Sequence, residues 1–199
     1  IQLFEPDFRP CAFEYIYFAR PDSIIDGKNV YETRLKMGEC LAKEQPCEVD
    51  LVLPVPDSGV AAAKGYAKGL GVPFEMGIVR NHYVGRTFIE PTQEIRDLKV
   101  KLKLSPIKNL IEGKRVAIVD DSLVRGTTAN QIVKMLKDVG AKEVHMMLAS
   151  PQIKHPCRYG IDTPSYEELI SANMSLEDIR KKVQADSLGF LSVEGLVES

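Results

Sequence analysis

Three short apolar runs limit what this chain can fold into. Val49 to Val55 (VDLVLPV), Val116 to Val119 (VAIV) and Val144 to Ala149 (VHMMLA) are too short for helices and too continuously apolar for strands with one wet face. Between them lie stretches of helical period. Gly59 to Leu70 (GVAAAKGYAKGL) is closed by Gly71, and from Thr128 onward Ile132, Met135, Leu136 and Val139 share one face before Gly140. Strand, helix and strand in repetition require parallel pairing through right-handed crossovers, and a parallel sheet needs both faces covered. The expected fold is an α/β domain with a doubly wound, mostly parallel sheet.

The flanking regions differ in texture. Val72 to Val79 is expected to resume extended structure. Val30 to Glu44 reads as an amphipathic helix behind the aromatic-rich FEYIYF of residues 13 to 18. Ser165-x-x-Glu168 and Ser175-x-x-Asp178 read as helix starts, with Leu176, Ile179 and Val183 on one face of the second.

At 199 residues, 44% hydrophobic and 27% charged, the chain is long enough for one full core. Its 26 Lys plus Arg against 28 Asp plus Glu give a net charge of -2, with no general pull toward nucleic acid or anionic membrane. No partner of either kind is expected. No apolar run approaches the length of a membrane span, and IQLFEPDFRP lacks the basic start and apolar centre of a secretory signal, which predicts a cytoplasmic setting. The chain opens at Ile1 and stops just after the apolar-patterned SVEGLV, so it reads as a piece of a longer protein. Cys11, Cys40, Cys47 and Cys157 are too scattered for a disulfide framework, and read as buried, reduced thiols.

The chemistry concentrates in VAIVDDSLVRGTT, residues 116 to 128. In an open α/β sheet, ligands bind outside the carboxyl ends of strands, where this run delivers Asp120 and Asp121. Adjacent carboxylates repel, and burying them requires donors or a cation. A ribose diol supplies donors. Ser122 to Thr128 then combines a flexible glycine, hydroxyls and a helix N-terminus, which offer backbone N–H groups and a positive dipole to a phosphate. Together they describe a site for a sugar phosphate. The alternative, that DDS only caps the next helix, leaves most of these groups unused. Neither a P-loop nor a dinucleotide fingerprint is present. PDSG at 56 to 59, between strand and helix, is a second anion position or else a simple capped turn. From Arg80 to Lys103 the chain carries six Lys or Arg against three acids with no sustained period. Such a segment suits a loop that closes over an anionic substrate, or else an ordinary basic surface.

VAIVDDSLVRGTT resembles the phosphoribosylpyrophosphate (PRPP) motif of type I phosphoribosyltransferases. CAFEYIYFARPDSIIDG (11 to 27), VPDSGVAAAKGYA (55 to 67), NHYVGRTFI (81 to 89) and YGIDTPSYEELI (159 to 170) resemble the amidophosphoribosyltransferases, in family order. The resemblance implies transfer of the phosphoribosyl group of PRPP to ammonia, giving 5-phosphoribosylamine and pyrophosphate, the first step of purine biosynthesis. The ammonia would come from glutamine through an N-terminal glutaminase domain that these residues do not include; a C-terminal tail is likewise expected outside them.

By the same resemblance, Asp120 and Asp121 hold the ribose hydroxyls and, with Ser58, contribute to a Mg2+ site. Asp57 and Ser58 stand at the pyrophosphate end, Ser122, Arg125, Gly126, Thr127 and Thr128 at the 5-phosphate, and Lys103 is a further PRPP contact. Arg80, Tyr83 and Arg86 are the implied catalytic residues of a lid, although Arg80 and His82 depart from the lysine and arginine of the family pattern. Cys11 and Cys157 match two of the four cysteines that hold a 4Fe-4S cluster in some members. Purine nucleotides as feedback inhibitors and a homo-oligomer complete the implied partners. A nucleobase phosphoribosyltransferase would share the motif but carry a base-stacking hood in place of FEYIYFARPDS. A non-catalytic sensor of PRPP or nucleotides would also share it, and the intact Tyr83, Gly85 and Arg86 count against that reading.

Overall fold

The apolar runs become the strands of a parallel sheet. A computed structural model describes residues 10–81, 104–163 and 165–199. In chain order it contains a π-helical turn (Glu14–Phe18), β1 (Ile24–Ile25), β2 (Lys28–Asn29), α1 (Val30–Glu44), β3 (Leu51–Pro54), α2 (Val60–Leu70), β4 (Ile78–Arg80), β5 (Leu104–Pro106) and α3 (Lys108–Ile111). There follow β6 (Arg115–Asp120), α4 (Thr127–Asp138), β7 (Glu143–Leu148), a 3-10 turn (Tyr166–Glu168), α5 (Ile170–Asn173), α6 (Leu176–Val183), β8 (Ser187–Phe190) and α7 (Val193–Glu198).

Strands β3, β6, β7 and β8 pair in that order, all parallel. On the far side of β3 the chain adds a short parallel edge, where Val52 N–H donates to the Pro73 carbonyl at 2.9 Å and Glu75 N–H to the Val52 carbonyl at 3.1 Å. From β3 the chain therefore builds first to one side, through α2, and then to the other, at β6. This reversal is a topological switch point, and the crevice beyond the carboxyl ends of β3 and β6 is where such sheets bind ligands.

Both faces of the sheet are covered, which explains the near-continuous apolar runs. Leu51, Leu53, Val116, Ile118, Val144, Met146 and Leu148 pack with Ile132, Val133 and Leu136 of α4 and Ile179 and Val183 of α6. The alternate residues Val52, Ala117, Val119 and Met147 pack with Met37 and Leu41 of α1 and Ala63, Tyr66 and Ala67 of α2. Helices α1 and α2 meet backbone to backbone. A Cβ on Gly38 would stand 1.9 Å from the Ala62 carbonyl oxygen, and one on Gly65 would stand 1.9 Å from that of Leu35. The small residues of GVAAAKGYAKGL are what allow this approach.

Three expectations require correction. Val72 to Val79 does not form one strand: only Phe74 bridges to the main sheet, and β4 pairs antiparallel with β5 in a sheet of its own. Ser165 makes no capping bond, so its segment is a single 3-10 turn, whereas Ser175 Oγ accepts the Asp178 N–H at 3.2 Å and starts α6. All four cysteines are free thiols, but only Cys40 is buried; Cys47 and Cys157 are half-buried and Cys11 is exposed. Strand β8 was not expected, because SLGF is short and broken by Gly189. Of the expected lid, His82, Tyr83, Arg86 and Lys103 lie outside the described residues. Among the described residues no helix is long and apolar enough to cross a membrane.

The helix contact has a direct test. Gly38→Ala and Gly65→Ala should each lower the unfolding free energy of the intact protein by about 1 to 3 kcal/mol in urea titration, since backbone must move to admit the methyl group. Gly160→Ala, where a Cβ meets nothing within 4 Å, should change it by less than about 0.5 kcal/mol.

Candidate active site

Strand β6 carries Asp120 to the switch point as its last residue, held in register opposite Leu148 of β7. The chain then turns sharply. Asp121 N–H donates to Asp120 Oδ1 at 2.9 Å, and Ser122 Oγ donates to Asp121 Oδ2 at 2.6 Å. Asp121 is only 8% exposed. Burial, together with the neighbouring Asp121 charge, raises the Asp120 pKa well above the ordinary carboxylate range. An acid pair in this condition is suited to a cation or a hydroxyl donor.

Helix α4 begins at Thr127, behind Gly126 at φ 80°, and no side chain caps it. The DDS segment is therefore not a helix cap, and no side chain claims the first-turn amides in the manner of a cap. An uncapped helix start of this length presents N–H groups and positive dipole to an anion. The turn is supported from behind: Ile170 N–H donates to the Val124 carbonyl at 2.9 Å, and a Cβ on Gly126 would stand 2.7 Å from Ile170 Cδ1. Arg125 projects to Glu168, with Nη2 to Oε2 at 2.6 Å. Glu168 is a partner that sequence reading missed, because forty-three positions separate the two residues.

The PDSG turn joins the same place from β3. A Cβ on Gly59 would stand 2.3 Å from the Val119 carbonyl oxygen, so the turn lies directly on the end of β6. The Pro56–Asp57 peptide is cis. Ser58, Asp120, Asp121, Ser122, Arg125, Gly126, Thr127 and Thr128 thus line one cleft of about 550 Å³, and Tyr17 of the aromatic turn lines it too. A smaller cavity of about 300 Å³, walled by Phe13, Tyr17, Phe18, Ile161 and Thr163, shares Asp121 and Ser122 with it. FEYIYF showed four aromatic rings without a role for them; three, Phe13, Tyr17 and Phe18, pack on one another with centroids 5.5 to 6.4 Å apart.

Other expected residues lie elsewhere. Asp57 and Arg80 pair with each other, Oδ2 to Nη1 at 2.8 Å, and neither lines the cleft. The Cys157 thiol accepts N–H groups of Tyr159 at 3.4 Å and Ile161 at 3.5 Å, which lower its pKa. Among the described residues no three His, Cys, Asp or Glu side chains gather to hold a metal ion.

A pH dependence follows from Asp120. Since its pKa is higher folded than unfolded, its contribution to stability is complete below the unfolded value and is lost as pH rises through the folded one. Asp120→Asn should accordingly stabilise the ligand-free protein at neutral pH, by about 1 kcal/mol, with the gain fading toward roughly pH 4. Denaturant titrations across that range check it, and an equal gain at both ends would contradict it.

A family model for the phosphoribosyl transferase domain matches residues 36–166. The chain is 60% identical over 191 residues to the chloroplastic amidophosphoribosyltransferase of Glycine max, an overlap of 96% of this chain and 34% of that protein. It is 55% identical over 188 residues to the amidophosphoribosyltransferase of Bacillus subtilis, covering 94% of this chain and 40% of that one. The solved structure of glutamine PRPP amidotransferase from B. subtilis, complexed with ADP and GMP, superposes with a TM-score of 0.87 at 55% identity, over 94% of this chain and 41% of that chain. This chain therefore spans 34% to 41% of the length of these relatives. The matched residues include β3, the PDSG turn, β6 and the start of α4, though not the aromatic turn, and the chain belongs to the phosphoribosyl transferase domain family.

Proposed function

We propose that this chain transfers the phosphoribosyl group of PRPP to ammonia, as the transferase portion of an amidophosphoribosyltransferase. One observation carries the reading: a repelling acid pair and an uncapped helix start face a single cleft at the switch point. Asp120 and Asp121 accept the ribose hydroxyls, and the first turn of α4, with Thr127 and Thr128, receives the 5-phosphate. The PDSG turn, with Ser58, takes the pyrophosphate end. Arg125 helps shape the phosphate turn while paired with Glu168.

Mg2+ fits this donor set, because it retains waters and substrate oxygens, and two carboxylates with one hydroxyl are a partial shell. Asp120, Asp121 and Ser58 would hold it, and when bound it supplies positive charge against the pyrophosphate. As the bond from the anomeric carbon to the pyrophosphate oxygen breaks, positive charge grows on the ring, near the two carboxylates. Ammonia forms its new bond at that carbon and afterwards loses a proton. No protein nucleophile is needed. The smaller cavity beside the cleft offers the neutral nucleophile an approach past Phe13, Tyr17 and Phe18.

The wider setting belongs to the same proposal. Ammonia comes from glutamine through a glutaminase domain of the same protein, and Arg80, Tyr83, Arg86 and Lys103 act from a lid. Purine nucleotides inhibit, a reading supported by the ADP and GMP in the B. subtilis relative. We further assign a homo-oligomer and a 4Fe-4S cluster with Cys11 and Cys157 among its ligands; the N–H groups around the Cys157 thiol suit a thiolate. The compartment we assign is the cytoplasm, although plant relatives are named chloroplastic.

Ammonia-dependent pyrophosphate release by the intact protein, with and without Mg2+, tests the reading. Release should require Mg2+. Asp120→Asn or Asp121→Asn should lower turnover at least about tenfold, since a charge-assisted contact is worth about 1.5 to 3 kcal/mol. Wild-type turnover in both variants would remove the carboxylates from the diol.

A further inference from the structure

Two charged side chains are buried among the described residues, and they have opposite signs: Arg34, 5% exposed, and Asp121, 8% exposed. Asp121 belongs to the cleft. Arg34 sits on α1 in the face formed by Val30, Thr33, Met37, Gly38 and Leu41, where an apolar side chain is the ordinary occupant. A lone guanidinium is costly to bury, so its partners have to offset the loss of water.

Those partners belong to the aromatic wall. Arg34 Nε donates to the Tyr15 carbonyl at 2.6 Å, and Nη2 donates to the Ala19 carbonyl at 2.9 Å. The two carbonyls lie within and just beyond the π-helical turn Glu14–Phe18, which the Ala19 N–H closes on the Glu14 carbonyl at 3.0 Å. A planar fork bridges two such acceptors, and a point-like ammonium does so poorly. The turn held in this way brings Tyr17 to the cleft beside Asp120 and Asp121, and Phe13, Tyr17 and Phe18 to the adjoining cavity that Asp121 also lines.

Charge links the same residues. Burial lowers the Arg34 pKa, and the Asp121 charge works against that fall.

We propose that Arg34 is a positioning residue for phosphoribosyl transfer, a single buried guanidinium that clasps the aromatic turn and so holds Tyr17 beside Asp121. This role rests on the transfer reading above. It makes the aromatic wall and the acid one unit, so that a ligand meeting Asp121 finds Tyr17 already in place.

The test uses the intact protein with PRPP, saturating Mg2+ and ammonia. Arg34→Gln should raise the KM for PRPP about tenfold while kcat stays within about threefold, because positioning for ground-state binding is lost. Arg34→Lys, which keeps the charge and loses the fork, should also raise KM, by at least about fivefold. In an Asp121→Asn background, Arg34→Gln should change KM by less than about threefold, since coupled residues are not additive. A merely structural arginine would lower Tm without this coupling. Unchanged KM in folded Arg34→Gln, or full multiplication of its effect with that of Asp121→Asn, overturns the proposal. If Arg34→Gln does not fold, Arg34→Met at reduced temperature and the Arg34→Lys double variant with Asp121→Asn carry the same comparison. Wild-type protein that binds no PRPP would sink the transfer reading itself, whereas active wild type with indifferent Arg34 variants sinks only the role of Arg34.

Discussion

Repulsion between Asp120 and Asp121, side by side at the end of β6, is the constraint around which the site is arranged. Burial makes it worse, and Asp120 answers by holding its proton to higher pH than a free carboxylate. A fold optimised for stability alone would place neutral side chains here. This one keeps the acids and surrounds them with groups that are incomplete without a ligand: a helix start that no side chain caps, a serine-bearing turn pressed onto β6, and a cleft of about 550 Å³.

The sheet supplies the place and the loops supply the chemistry. Because the sheet grows from β3 first toward Phe74 and then, on the other side, to β6, the connections leaving these two paired strands part, and the PDSG turn and the DDSLVRGTT turn line one opening. Close contacts fix the distance. Gly59 lets one turn rest on the Val119 carbonyl, and Ile170 backs the other at Gly126. Farther out, the contact of Gly38 with Ala62 and of Gly65 with Leu35 sets α1 beside α2, and α1 in turn carries Arg34 to the aromatic turn.

How much of this was legible in the sequence depended on how local the signal was. The strands of VDLVLPV, VAIV and VHMMLA were readable because burial on two faces leaves no polar alternation. The acid pair and the glycine-hydroxyl turn were readable because one short segment carries both. Strand β8 was hidden by its four-residue length and Gly189, and the 72–79 segment was misread because its extended residues pair with two different sheets. Arg34 escaped notice for a different reason. A basic residue in an amphipathic helix ordinarily reads as solvated, and its carbonyl partners lie fifteen and nineteen positions away. The Arg125–Glu168 pair was equally out of sight, since only the folded chain brings α5 against the phosphate turn.

The claim at the centre is that the acid pair recognises a ribose diol while the start of α4 holds the phosphate. Calorimetric titration of the intact protein with ribose 5-phosphate and with 2-deoxyribose 5-phosphate, both with Mg2+, separates these two contacts. Ribose 5-phosphate should bind at least about tenfold more tightly than the deoxy sugar, the difference expected for one charge-assisted hydrogen bond, and the preference should vanish in Asp120→Asn, Asp121→Asn double-variant protein. Equal affinity of wild type for both sugars would contradict the assignment of the diol to these two aspartates.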